Sequence, residues 1–528
     1  MNTVVDEQQV SLSEFLELKI ALEKSKLECA ELKVEIESER EKYKNLLRAL
    51  YGKKSEKISE PAPGQGELFD EAENESAAIP NPEPIVISMP KKPVNGKKRG
   101  RKSIPVSLPR IDKVIDLTEK ERDCPFCDKS RPKMGEERTE EIDFIPAHVQ
   151  VTVYVRNKYG PCDCDGFAAS EEKEIIIAPA PAKIVPGSAF SNRAIAFFIV
   201  AKYVDGLPFY RQESMMPRYS IEMGRGTMAH LSIRTASRFD RIVALMQGHI
   251  RASPVVGMDE TVVQVLKEKG RKPESQSRMW VARGYHGEKP ILLFVYNPSR
   301  SGAVASGILG DFKGFLQTDG HAGYNSVGKQ PGMTHIGCWA HIRREFHHVY
   351  VNQGKESLAG EMIELIKKLY VIEKRLRLEL DEKKIQSDIF LIVRKKETES
   401  VFKEIREWLF ANCGKIPPKS SLGEAIAYAM GQFDRAIRYV DHYLVTPDNN
   451  LVENAIRPFV IGRKNWLFYD TPQGAWAGAT LYSILETAKA NGHEPYKYLC
   501  YLVDKISLAK TDDELITLLP YVLDPNQY

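Results

Sequence analysis

The chain has 528 residues, several times the usual length of one domain, so more than one core is expected. Hydrophobic residues make up 42% and charged residues 28%, a globular balance that excludes a wholly disordered or collagen-like chain. The net charge of +3 is too small to define a partner class by itself. No apolar run reaches the ~18 residues of a membrane span. Asp6 and Glu7 stand where a signal peptide needs basic and then apolar residues. A soluble, unexported, cytoplasmic protein with no membrane partner is expected. The eight cysteines are too sparse for a disulfide scaffold, and four of them are paired in sequence, which in a reducing compartment favours metal.

Residues 1–52 carry a repeat of three and four. Phe15, Leu22, Cys29, Ile36, Tyr43 and Leu50 occupy one seam position, and Leu18, Ser25, Leu32, Glu39 and Leu46 the other. With Lys and Glu dense elsewhere, this predicts a coiled coil and hence a homo-oligomer. Ser25 and Glu39 on the seam would cost stability and fix register. Residues 53–110 turn to Pro, Gly, Ser and acids and read as a linker. Within it Lys91, Lys92, Lys97, Lys98, Arg99, Arg101 and Lys102 gather positive charge with no acid between them, which leaves the rest of the chain acidic. Such a cluster is either a flexible arm on a phosphate backbone or a solvated basic linker.

Regular structure resumes in residues 111–170. Cys124-Pro-Phe-Cys127 has knuckle spacing, the alternation of Val149, Val151, Val153 and Val155 predicts strand, and Cys162-Asp-Cys164 follows. Strands between two cysteine pairs predict a zinc-ribbon-like module, in which Cys124, Cys127, Cys162 and Cys164 would hold Zn²⁺ in place of a core too small to fold alone. The second pair is a tighter chelate than usual, so Asp163 or Asp165 could complete the shell instead. Residues 175–250 are helical and basic. The segment from Gly226 to Phe239, with Arg225, Arg234 and Arg238 beside apolar Met228, Leu231, Ile233 and Ala236, suits a helix-turn-helix or a plain packing domain.

Chemistry concentrates further on. Asp259 lies in the apolar strand 255–265, a second strand candidate covers 291–296, and a short strand from Gly314 runs into Asp319-Gly320. A charge at a strand end is costly unless solvated or bound to a cation, so the two aspartates point to a metal site. The third carboxylate, Glu453, sits in a helix that Asp448 or Asn449 can cap and that Pro458 should kink or end. Glu453 and Arg457 share its face. Two aspartates from strands and a glutamate from a helix would hold two Mg²⁺ ions about 4 Å apart, for phosphodiester chemistry without a general-base side chain.

Several motifs together resemble the insertion-sequence sixty-six transposases: Asp259-Glu-Thr, Leu316-Gln-Thr-Asp319-Gly-His-Ala-Gly-Tyr324, Cys338-Trp-Ala-His341-Ile-Arg-Arg-Glu-Phe346, Asp448-Asn-Asn-Leu-Val-Glu453-Asn-Ala-Ile-Arg-Pro and Gly462-Arg-Lys-Asn-Trp-Leu-Phe468. Leu50-Tyr-Gly-Lys-Lys-Ser-Glu-Lys57, the cysteine module, the run from Lys202 to Gln212 and Leu485-Glu-Thr-Ala-Lys-Ala-Asn-Gly492 extend the resemblance in the same order over nearly the whole chain. The resemblance implies a multidomain α+β protein with an RNase H-like α/β core, in residues 251–340 and 446–492, carrying the DDE triad Asp259, Asp319 and Glu453. It also implies a helical insertion in 341–445, which the helical patterns of 361–380 and 397–410 support. Residues 493–528 form a C-terminal helical segment.

The implied activity is that of a nucleoid-associated DNA transposase, which binds mobile-element ends, cleaves them with two Mg²⁺ ions and joins the 3′-OH to target DNA. Small accessory proteins of the same element are implied as further partners. Lys97, Lys98, Arg99, Arg101 and Lys102 of the arm, with Arg457, Arg463 and Lys464 beside the acidic centre, would contact phosphate. The rival is a non-catalytic DNA-binding or assembly protein whose nuclease core has lapsed, against which all three carboxylates stand. Cys338 and His341 match the Cys-x-x-His that opens such insertions, and read as a packing or hydrogen-bonding pair, since two ligands do not make a structural zinc site. Pro161 departs from the family's second cysteine pair by displacing Cys162 one place.

Overall fold

The computed structural model describes residues 179–528, together with Lys19 and residues 21–26, 149–159, 176 and 177. Two compact units divide the chain, one of residues 82–177 and one of 1–81 with 178–528. In the smaller unit, β1 (Lys158–Tyr159) pairs antiparallel with β2 (Ile176–Ile177). Val149, Val151, Val153 and Val155 belong to no strand and are exposed, contrary to what their alternation predicts. Alternating valines make a strand only where one face is covered and the backbone is paired. Among the described residues of this unit, pairing begins at Lys158. The four zinc-candidate cysteines and the basic arm lie outside the described residues. So does most of the heptad segment, of which residues 21–26 are helical with Leu22 exposed.

From residue 179 on, the larger unit first forms four α-helices: α1 (Asn192–Tyr203), α2 (Phe209–Met215), α3 (Arg225–Ala236) and α4 (Asp240–Arg251). Ser191 caps α1 by accepting from the Ala194 amide. Helix α3 buries Met228, Leu231 and Ala236 and leaves Arg225 exposed.

A five-stranded sheet follows, ordered β5-β4-β3-β6-β7, from β3 (Val255–Gln264), β4 (Gln276–His286), β5 (Lys289–Asn297), β6 (Gly314–Gln317) and β7 (Met333–Ile336). The first three form an antiparallel meander, while β6 and β7 run parallel to β3, with α5 (Gly302–Leu309) in the connection from β5 to β6. Residues 255–261 of the central strand are all buried, as expected of a strand covered on both faces.

Four helices then build a second core: α6 (Trp339–Gln353), α7 (Leu358–Asp381), α8 (Ser387–Cys413) and α9 (Ser421–Ala436), packed through Trp339, Phe346, Ile366, Ile405 and Phe433. The chain returns to the sheet with α10 (Asn450–Trp466) and α11 (Pro472–Ala490) and ends in α12 (Pro495–Lys505) and α13 (Asp512–Ile516). Ser483 and Thr487 of α11 accept from the Phe294 and Leu292 amides at 2.8 and 3.0 Å, which satisfies donors of edge strand β5. Pro458 does not end α10, which continues to Trp466. The lost amide donor is offset by the burial of Phe459, Val460 and Trp466 beyond it. No helix among the described residues is long and apolar enough to cross a membrane.

Candidate active site

Parallel pairing sets Val255, Val256 and Gly257 of β3 opposite Phe315, Leu316 and Gln317 of β6. Asp259 and Asp319 each lie two residues beyond the last of these pairs, Asp259 within β3 and Asp319 past the end of β6. Asp259 is buried, and its Oδ1 accepts from the Glu260 amide at 2.8 Å. Asp319 is half-buried just past the end of β6, where its Oδ1 accepts from the His321 amide at 3.1 Å.

Further side chains surround the pair. Glu260 accepts from Arg300 Nε at 2.7 Å and from the Tyr324 hydroxyl. Burial pushes the Glu260 carboxyl up, the Tyr324 and Arg300 hydrogen bonds oppose this, and Asp319 adds to it. Burial, reinforced by Glu260, Asp259 and Asp319, holds the Tyr324 phenol well above its usual range, so it remains a donor. Beneath Asp319, Thr318 shares a 2.8 Å hydrogen bond with His335 Nε2. Burial, then Arg435 and Arg438, lowers His335 to about 4, so the imidazole is neutral at pH 7. Gly320 admits Tyr428 of α9 over this turn, since a Cβ there would fall 2.1 Å from the phenol oxygen.

Glu453 arrives from far along the chain through four hydrogen bonds around the start of α10. Gln317 Nε2 donates to the Thr446 carbonyl at 2.7 Å, and the Trp339 amide to the Pro447 carbonyl at 2.9 Å. Asn449 Nδ2 donates to the Met258 carbonyl at 3.2 Å, beside Asp259, and the Asn449 amide to Cys338 Sγ at 3.3 Å. Gly257 lets α10 close on β3, because a Cβ there would lie 2.4 Å from Val452 Cγ2. Asp448 Oδ1 accepts from the Asn450 amide at 3.1 Å, while Asn449 at the N-cap makes no side-chain cap and is committed to β3. Glu453 is then buried in the first turn of α10.

Of the basic candidates, Arg457 and Lys464 are exposed. Arg463 is half-buried and donates to Thr261 Oγ1 at 3.2 Å and to the Val262 carbonyl, bracing β3 from the last turn of α10. Sequence reading missed Arg300, Tyr428 and the clamping role of Asn449. Only the last two carried a local signal, the glycine after Asp319 and the tandem asparagines before Glu453.

Residues 187–477 match the family model described as "Transposase IS66 family", and residues 483–521 match "IS66 C-terminal element". Residues 121–165, which span all four zinc-candidate cysteines, match "zinc-finger binding domain of transposase IS66". Residues 40–112 match "Transposase C of IS166 homeodomain", a span that runs from the heptads through the segment read as a linker. Two relatives come from Sinorhizobium fredii (strain NBRC 101917 / NGR234). "Uncharacterized protein y4jD" is 28% identical over 496 residues, 90% of this chain and 92% of that protein. "Uncharacterized protein y4qI" is 28% identical over 440 residues, 81% of this chain and 78% of that protein.

Proposed function

The chain belongs to the IS66 transposase family, and from that premise we propose that it is a DDE-type enzyme with an RNase H-like core, which cleaves mobile-element ends and joins the 3′-OH to target DNA. The observation that supports this reading is the parallel β3–β6 pairing, from whose last pair, Gly257 with Gln317, Asp259 and Asp319 are each two residues on. The strand order, three antiparallel and two parallel, supports the RNase H-like assignment. In this reading Glu453 completes the triad from α10.

The donor set fits Mg²⁺: three carboxylates offer hard oxygens, two of them buried, where an uncompensated charge is costly. When bound, two such ions activate the attacking oxygen and stabilise the leaving one. The chain's own residues hold the acids for this. Glu260, fixed by Arg300 and Tyr324, supports β3 beside Asp259, and the neutral His335 anchors Thr318 so that the Asp319 turn keeps its shape. Tyr428 packs against that turn at Gly320.

DNA is the partner that the family implies. Arg457 and Lys464 present charge for phosphate from the exposed side of α10, joined by Lys97, Lys98, Arg99, Arg101 and Lys102 of the arm. The zinc-finger match supports zinc binding by Cys124, Cys127, Cys162 and Cys164. The heptads of residues 1–52 would bring chains together on paired element ends.

Asp259→Asn, Asp319→Asn and Glu453→Gln test the triad. Each should abolish Mg²⁺-dependent strand cleavage while DNA binding stays within a few-fold of wild type, since an amide keeps the shape and removes the charge. Cleavage above a few per cent of wild type in any one would remove that residue from the site.

A further inference from the structure

Glu453 has neighbours that a magnesium centre does not call for. Cys338 is the residue before α6 and His341 lies within its first turn, three positions on and therefore on the same face. One donor atom from each of Cys338, His341 and Glu453 lies within 4.8 Å of the other two. All three are buried, at 3%, 8% and 5% exposure. We infer that they form a second metal site, for a borderline d-block cation such as Zn²⁺, which draws on Glu453 and so couples that cation to the magnesium centre.

The geometry and chemistry agree. Zinc bonds of about 2.0–2.3 Å in a tetrahedron put neighbouring donors roughly 3.3–3.8 Å apart, within reach of small side-chain rotations from the observed cluster. Sulfur and imidazole suit Zn²⁺ or Co²⁺ and are poor ligands for Mg²⁺, which takes oxygen. Three protein ligands leave a fourth position open.

The site is organised by the protein itself. The Asn449 amide on Cys338 Sγ and the Trp339 amide on the Pro447 carbonyl lock the start of α6 to the start of α10. A cation here would tie the first helix of the insertion to Glu453, and a carboxylate drawn toward it would be less available to Mg²⁺. The metal site stands on this cluster alone, whereas its effect on cleavage rests on the catalytic reading of Glu453.

The test uses full-length, metal-free protein titrated with Co²⁺ and then Zn²⁺. Any metal held by Cys124, Cys127, Cys162 and Cys164 is common to every variant, so the difference between variants is the readout. Wild type should bind one equivalent more than Cys338→Ser or His341→Ala, with the affinity of that equivalent reduced by about 100-fold or more in either. The thiolate-to-cobalt absorption should fall in Cys338→Ser. Should either variant fail to fold by circular dichroism, His341→Asn, which keeps a polar group on α6, carries the same measurement. Equal stoichiometry and equal spectra in wild type and a folded variant would overturn the site. In parallel, the ratio of Mg²⁺-supported cleavage with and without added Zn²⁺ should fall in wild type and stay near one in His341→Asn. A protein that binds the extra equivalent but cleaves nothing under any condition refutes the catalytic reading and leaves the metal site standing.

Discussion

Gly257→Ala isolates the close approach on which the placement of Glu453 depends. The added Cβ would stand 2.4 Å from Val452 Cγ2 and 3.4 Å from Asn449 Oδ1. Carbon atoms settle at about 3.5–4.0 Å, so the start of α10 must retreat from β3 by about 1 Å. Overpacking of this kind costs about 1–3 kcal/mol of stability. The greater effect is on chemistry, because Glu453 is the residue after Val452 and a misplacement of about 1 Å costs on the order of 100-fold in rate. The same geometry specifies a rescue. Trimming Val452 to Ala leaves its Cβ 3.8 Å from the new methyl, an ordinary contact. Mg²⁺-dependent cleavage of a labelled end, measured for both single variants and the double, should show Gly257→Ala as the slowest and the double variant recovering at least tenfold of the loss, a coupling of about 1.4 kcal/mol. Wild-type cleavage by Gly257→Ala, or a double variant no better than that single change, would refute the claim that this contact positions Glu453.

Two further outcomes follow from buried charge. Arg394 is fully buried, pairs with both Glu373 oxygens at 2.9 Å, and donates to the His442 and Val445 carbonyls at 3.2 and 2.6 Å, so Arg394→Met should destabilise the protein by about 3–5 kcal/mol in urea unfolding. His335 carries a pH signature: its folded pKa is lowered from 6.5 to about 4, so the unfolded chain takes up the extra proton between those values. Stability that is present above pH 6.5 should therefore decline as pH falls toward 4, by roughly 3 kcal/mol in all. His335→Gln should flatten that slope, and an unchanged pH profile of the melting temperature would contradict the assignment.

The strands and acids at the centre were readable because they are local. An apolar run holding one carboxylate marks β3, and a short apolar run ending in Asp-Gly marks β6. The long insertion helices showed in their period. Strand β4 was harder, because Arg278 and Arg283 interrupt its apolar pattern, and both lie at half-buried positions of a strand that is otherwise buried between its exposed ends. The exposed valines from Val149 to Val155 show the opposite failure, a strand-like alternation that no second surface covers. Of the two outcomes that Pro458 allows, a kink or an end, the end is excluded because tertiary burial beyond it exceeds the local penalty. The arrival of Glu453 depends on contacts such as Asn449 with Met258 and Cys338, separated by more than a hundred residues, and only the folded chain reveals them.

The central claim is cut-and-join chemistry at Asp259, Asp319 and Glu453. Its most direct measurement incubates full-length protein with end-labelled element termini, a supercoiled target plasmid and Mg²⁺, and then maps every strand at nucleotide resolution. The account predicts cleavage at the element end that leaves a 3′-OH, followed by covalent joining of that end to the plasmid, with both products absent for Asp319→Asn. Specific binding of the termini with all strands intact in Mg²⁺ and in Mn²⁺ would contradict it and leave a DNA-binding protein with a lapsed core.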